Sequence, residues 1–271
     1  MIDDPRGCID YHETGNGPTI VFVPGSCSTG AAWRPIISEI GNNFRCVTTS
    51  LLGYGRTTER RESGDADISQ DAEAVEAVIR RAGAPVHLVG HSFGGLTALA
   101  VALRKRVPLL SLTIAESPAA EILRTTGEYE HYLAFRRMTD GYIAAYRSGN
   151  SAAIEAMIDF YGGAGTFAGW PQRVRDYAIE TTPVNLLDWQ GVYGFRLTPS
   201  LLAAVDIPAL VLWGGNSHPA VRRANALLAK YMPHGSGSAI AGAAHFMIST
   251  HAPQVAGLLA QHLAARQAMA A

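Results

Sequence analysis

Short apolar runs, rich in β-branched residues, recur along the chain and end at turn-forming residues. Ile20–Val23 stops at Pro24-Gly25, and Phe44–Thr49 is followed by Leu52-Gly53-Tyr54-Gly55. Val86–Val89 stops at Gly90. Leu109–Ala115, Ala209–Trp213 and Ser238–Ile240 complete the series. Runs of this length and composition predict buried strands. Between them lie segments with helical spacing of apolar residues. Ile68–Ala82 is stopped by Gly83-Ala84-Pro85, and Phe93–Lys105 consists of strong helix formers. Val221–Tyr231 and the stretch from Pro253 to the C-terminus also read as helices. Apolar strands alternating with helices predict a parallel sheet covered on both faces. The rhythm breaks once. From Ser117 to Ser200 no strand pattern appears, and the segment reads as a helical insertion rich in aromatic residues. The expected organisation is a core of residues 1–116 and 201–271, with residues 117–200 as a helical cap over the strand ends.

Composition narrows the field. The chain has 271 residues, 48% hydrophobic and 17% charged, which allows a large core and argues against disorder. A net charge of −1 with no basic run gives no footprint for nucleic acid or an anionic membrane. The expected partner is a small-molecule substrate, with the chain a monomer or homodimer. The three cysteines, Cys8, Cys27 and Cys46, form no CxxC pair and read as reduced thiols. The acidic, polar opening MIDDPRGCIDYHE is unlike a secretory leader, and no apolar run is long enough to span a bilayer. A cytoplasmic location is the resulting expectation.

The chemistry concentrates at Gly90-His91-Ser92-Phe93-Gly94-Gly95. Gly-x-Ser-x-Gly between a strand and a helix is the pattern of a nucleophile elbow. The turn is so tight that side chains two residues either side of the serine would collide, and glycine removes them. The serine hydroxyl is then exposed at the carboxyl edge of the sheet, before a helix N-terminus that favours developing negative charge. A hydroxyl is a weak nucleophile at neutral pH and needs a base. Among 9 histidines, His245 sits in a small-residue loop, Ala241-Gly242-Ala243-Ala244, directly after the last strand. His91 should point away from the elbow into packing, and His87 reads as a core histidine. His251 and His218 are weaker rivals, while His12, His131, His234 and His262 read as surface.

These motifs resemble the α/β-hydrolase superfamily. The resemblance rests on the Ser92 motif, on Val23-Pro24-Gly25-Ser26, on Leu52-Gly53-Tyr54-Gly55-Arg56-Thr57, and on Gly242-Ala243-Ala244-His245-Phe246. It implies an α/β-hydrolase fold with Ser92 as nucleophile, His245 as base, and the amides of Ser26 and Phe93 as oxyanion hole. Many members carry a histidine directly before the glycine, where this chain has Pro24. Ser50 stands where members usually have Asp.

The acid is the unusual part. In most relatives it is an Asp in the loop after the strand Ala209–Trp213. Here that loop reads Gly214-Gly215-Asn216-Ser217-His218-Pro219, with no carboxylate. The other place the fold allows is the end of the preceding strand, where Glu116 follows Leu112-Thr113-Ile114-Ala115. Certain haloalkane dehalogenases are similar in carrying their acid there. A carboxyl ending a buried strand needs a partner, which His245 would supply. Asn216 could hold the imidazole only through its amide oxygen, and Asp206 precedes its strand, at the wrong end of the sheet. No His or Cys spacing suits zinc, and Gly53-Tyr54-Gly55 lacks the third glycine of a dinucleotide site, so neither metal nor cofactor is expected.

The resemblance implies a serine hydrolase acting through an acyl-enzyme on an ester, or a related acyl or C–C bond, of a small and partly apolar substrate. Serine rather than aspartate at the elbow argues against dehalogenation. Tyr142 and Trp189 are candidate substrate contacts. Arg124, Arg136, Arg137 and Arg147 could meet a substrate carboxylate. Two other readings stay open: a cofactor-free dioxygenase of hydroxylated heteroaromatics, and a non-catalytic ligand receptor.

Overall fold

The computed structural model describes residues 1–270. Nine strands form two sheets. β1 (Ile2–Asp4) and β2 (Gly7–Ile9) pair as an antiparallel hairpin. The main sheet holds β3 (His12–Thr14), β4 (Thr19–Val23), β5 (Arg45–Thr48), β6 (Val86–His91), β7 (Leu109–Ala115), β8 (Ala209–Gly214) and β9 (Gly235–Ile240). Their spatial order is β3-β5-β4-β6-β7-β8-β9, parallel throughout except for the edge strand β3.

The side-chain period of two divides the interior into two cores. In β4, Val21 and Val23 point into one, and Ile20 and Phe22 into the other. The first is covered by α2 (Ile68–Ala82) and α3 (Phe93–Arg104), and the second by α1 (Arg34–Ile40) and the C-terminal α13 (Ala252–Ala270). α2 starts with a full capping box, in which Asp67 accepts from the Ser69 N–H and Gln70 reaches back to the Asp67 N–H.

Between β7 and β8 the chain is helical: α4 (Ala120–Thr125), α5 (Tyr129–Arg147), α6 (Ile154–Gly162), α7 (Thr166–Gly169), α8 (Gln172–Glu180), α9 (Thr182–Gly194) and α10 (Pro199–Leu202). Its interior is aromatic. Phe135 meets Phe160, Tyr161 and Trp189, with ring centroids 5.6, 6.4 and 6.5 Å away. α11 (Pro219–Tyr231) follows β8, and the short α12 (Met247–Thr250) precedes α13.

Each central apolar run is a strand, within a residue or two of its expected bounds. β1, β2 and β3 went unread because each has only three residues, with β3 exposed throughout and β1 and β2 partly buried, leaving no apolar run to mark them. His262 is a second correction. It is half-buried rather than at the surface, and it adds to the burial that lowers the His87 imidazole; His131 is half-buried as well. The three cysteines are unpaired, and among the described residues no helix is long and apolar enough to cross a membrane.

Candidate active site

The register of the parallel strands brings the singled-out residues to one sheet edge. Gly90 and His91 of β6 pair with Ile114 and Ala115 of β7. Ser92 and Glu116 are the next residues of two neighbouring strands. Ser26 lies just beyond β4, and His245 just beyond β9. Chain crossings at the carboxyl ends of parallel strands are where such sheets bind ligands.

Ser92 has φ 54° and ψ −127°, a backbone region that residues with a side chain rarely adopt. The glycines around it are required by space. A Cβ on Gly90 would stand 2.3 Å from the Gly94 carbonyl oxygen, and one on Gly94 2.1 Å from that of Pro24. The strain is held from both sides, because the Ser92 N–H donates to the Ala115 carbonyl at 2.9 Å while its own carbonyl accepts from Gly95 and Leu96. The N–H of Phe93 opens α3 and has no intrahelical acceptor. Among the described residues the Ser26 N–H also donates to no protein group.

Glu116 is fully buried, also with a positive φ of 50°. Its Oε1 lies 3.0 Å from Nδ1 of His245. Its Oε2 accepts from the Gly214 N–H at 2.5 Å, and the Ser217 hydroxyl sits 2.8 and 2.7 Å from the two oxygens. The carboxyl thus faces an amide, a hydroxyl and an imidazole, and no opposing acceptor. Asn216 is exposed and donates from its amide nitrogen to the Gly242 carbonyl, away from His245. Ser217 had no sequence signal beyond its place in the loop that lacks an acid.

His245 is buried, with Tyr161 against its ring at 4.3 Å and His91 at 4.7 Å. Nε2 of His91 lies 2.9 Å from the His245 carbonyl oxygen, which fixes the loop. Burial, reinforced by His245, lowers the His91 imidazole to about 3, so it is neutral. His87 is buried against Ser111 and lowered to about 4. His218 caps α11 and stacks on Phe160, and His251 bonds Thr250.

Ser92 and His245 line one small cavity of about 40 Å³ with Ser26, Phe93, Trp189 and Tyr161. Tyr142 does not line it. Tyr142 lies behind Asn185, to which its hydroxyl donates at 3.1 Å, so it belongs to the interior of the helical segment. The arginines are also elsewhere. Arg124 pairs with Glu121, Arg136 pairs with Asp140 and covers Tyr193, and none of Arg124, Arg136, Arg137 or Arg147 lines the cavity. Asp206 bonds Lys105 at the far end of the sheet.

One charged group in the cavity went unread. Asp188 of α9 is 1% exposed. Its Oδ2 accepts from the hydroxyls of Ser26 at 2.5 Å and Tyr54 at 2.6 Å, and its Oδ1 from Arg61 at 2.8 Å. The same Arg61 nitrogen meets Asp71 at 2.9 Å. Burial raises both carboxyls, Asp71 to about 7, against the pull of the shared guanidinium.

A parallel sheet with a strained serine at its elbow and a buried His–Glu pair at the same edge defines an α/β hydrolase fold. The chain belongs to the Alpha/beta hydrolase family, whose match extends over residues 20–258. Among curated proteins it is similar to a pimeloyl-[acyl-carrier protein] methyl ester esterase of Aliivibrio salmonicida, 36% identical over 111 residues, 40% of each chain. It is also similar to haloalkane dehalogenase 2 of Mycobacterium bovis, 31% identical over 38% of this chain and 36% of that one. The matches therefore span well under half the length of these relatives. Among solved structures, the enol-lactonase from Burkholderia xenovorans superposes with a TM-score of 0.75 at 18% identity, covering 94% of this chain and 96% of that one. A thermophilic esterase from Thermogutta terrifontis gives 0.74 at 21% identity, covering 95% and 93%.

Proposed function

We propose that this protein is a serine hydrolase that cleaves an ester, or a similar acyl or C–C bond, of a small, uncharged and partly apolar substrate. The observation that carries this reading is the 3.0 Å bond between His245 and Glu116, at the same cavity and sheet edge as the strained Ser92. Ser92 Oγ attacks the carbonyl carbon as His245 takes its proton. Glu116 holds the imidazole in the required tautomer and stabilises its positive charge. The amides of Ser26 and Phe93 receive the oxyanion. The leaving alkoxide takes the proton from His245, and an acyl-enzyme remains. Water, deprotonated by His245, attacks the acyl carbon, and the acid and free Ser92 are released.

The nucleophile chooses among the family's chemistries. Attack of a hydroxyl on an alkyl halide would leave a Ser92 ether, which has no carbonyl for water to attack, so dehalogenation would stop after one turnover. The helical segment acts as a cap over the strand ends. Its cavity lining carries no Lys or Arg and does carry Asp188, which disfavours a carboxylate substrate. The cavity has room for roughly two or three waters, so a larger substrate requires the cap to shift.

The test is intact mass after treatment with a fluorophosphonate. A single adduct on wild type, absent from Ser92→Ala, is expected. No adduct on folded wild type would overturn the reading, and oxygen uptake with a hydroxylated heteroaromatic would then be measured.

A further inference from the structure

The polar groups on the helical side of the cavity are unequally satisfied. Asp188 accepts from three donors. Asn185, 2% exposed, has its carbonyl oxygen engaged by Tyr142. Its amide nitrogen donates to no protein group among the described residues. Tyr161 is the sharpest case. Its ring packs on His245 and its carbonyl accepts from the His245 N–H at 3.4 Å, yet its hydroxyl is buried without a partner. Burying a hydroxyl unpaired costs about 1–3 kcal/mol, and phenylalanine would fill the same space without that cost. Burial also holds the phenol well above its usual range, so it stays a proton donor. The cavity lining therefore offers two idle donors, Tyr161 beside the base and Asn185, while its one carboxyl on that side already accepts from three donors.

We propose that Tyr161 and Asn185 donate hydrogen bonds to a second, uncharged oxygen of the substrate, so that the site selects oxo-esters over their plain alkyl counterparts. This rests on the hydrolase reading above. A keto carbonyl fits because it accepts two donors and carries no charge to oppose Asp188. A carboxylate would face Asp188 with no cation lining the cavity, and a saturated chain would leave both donors unpaired. Discrimination against such a chain comes from these stranded donors rather than from lost contact area.

The experiment compares kcat/KM for matched pairs: methyl acetoacetate with methyl butanoate, methyl levulinate with methyl pentanoate, and acetonyl acetate with propyl acetate. Wild type, Tyr161→Phe, Ser92→Ala and the exposed control Tyr129→Phe are run together. The keto group activates some of these esters by itself, so the quantity read is the change in each oxo-to-alkyl ratio between wild type and variant. The expected result is a fall of about tenfold in at least one ratio for Tyr161→Phe, none for Tyr129→Phe, and a ligand-free Tm for Tyr161→Phe equal to or above that of wild type. Ser92-dependent turnover with ratios unchanged in Tyr161→Phe would overturn the inference while leaving the hydrolase reading standing. A lowered Tm with unchanged ratios would assign the hydroxyl a structural role and overturn it equally. Absence of Ser92-dependent turnover together with no fluorophosphonate adduct would remove the hydrolase reading and this inference with it, whereas an adduct without turnover of any oxo-ester would overturn this inference alone.

Discussion

Two carboxyls are buried near Ser92 and His245, one lining the cavity and one behind the imidazole, and they are held in opposite ways. Glu116 ends a strand and is surrounded by donors from the sheet edge: one amide, one hydroxyl and one imidazole. No Lys or Arg pairs with it, and in the proposed reaction the positive charge it meets is the one His245 gains. Asp188 sits on a helix of the insertion and already has its cation, Arg61, together with two hydroxyls from the core. Its oxygens are engaged before any substrate arrives, and its cation is shared with Asp71 and Glu59. In the proposed reaction the first carboxyl answers a change of charge, whereas the second holds α9 against the loops that carry Ser26 and Tyr54.

The largest effect should come from Glu116→Gln. It removes the negative charge facing His245, and kcat should fall by about 10⁴-fold in a folded protein. A loss confined to KM would break the contrast. Next, Arg61→Met should act on the fold. Two buried carboxyls lose their shared partner, and unfolding in urea should show a loss of about 3–5 kcal/mol. A change under about 1 kcal/mol would mean the Asp188 network does not hold the insertion in place.

Asp71 supplies a pH test. Its carboxyl is raised from 3.8 to about 7, first by burial. Between those values the folded protein keeps a proton that the unfolded chain releases. Its contribution to stability is therefore greatest at the acid end and declines as pH rises towards 7. His91 and His87 slope the other way, because their lowered imidazoles favour the folded state as pH rises towards 6.5. They cancel in the difference between wild type and Asp71→Asn. That difference should decline across the window, and a flat one would place the proton elsewhere.

The smallest expected effect sharpens the Glu116 side alone. Ser217→Ala removes one of its three donors and should lower kcat/KM by about tenfold, while Asn216→Ala should change it by less than about twofold. The reverse order would make Asn216 the group that orients the imidazole.

The two carboxyls also differ in how far the sequence announces them. Glu116 follows an unbroken apolar strand, and a charge there demands an explanation. β4, β6, β7 and β8 are readable for the same reason, since central parallel strands are apolar on both faces. Asp188 gives no such signal. It lies in a helix whose apolar and polar residues follow no sharp stripe, and its partner Arg61 lies 127 residues earlier in the chain. Tyr142 was misplaced because composition marks an aromatic residue as large and apolar but does not say which side of a helix faces a cavity. The Tyr161 hydroxyl is legible only in three dimensions, because an unpaired polar atom is defined by what fails to surround it.

The tie through Asp188 bears on modularity. Families built on a shared sheet with a variable insertion invite the exchange of one insertion for another. Here the segment from 117 to 200 supplies a counter-charge to Arg61, whose side chain is 1% exposed. A chimera bearing a foreign insertion would inherit a buried guanidinium short of one carboxylate, and a loop after β4 whose Ser26 hydroxyl has lost its acceptor. Successful transplants should therefore come from donors that bring an acid to the Asp188 position, or from hosts in which Arg61 has been replaced together with the insertion.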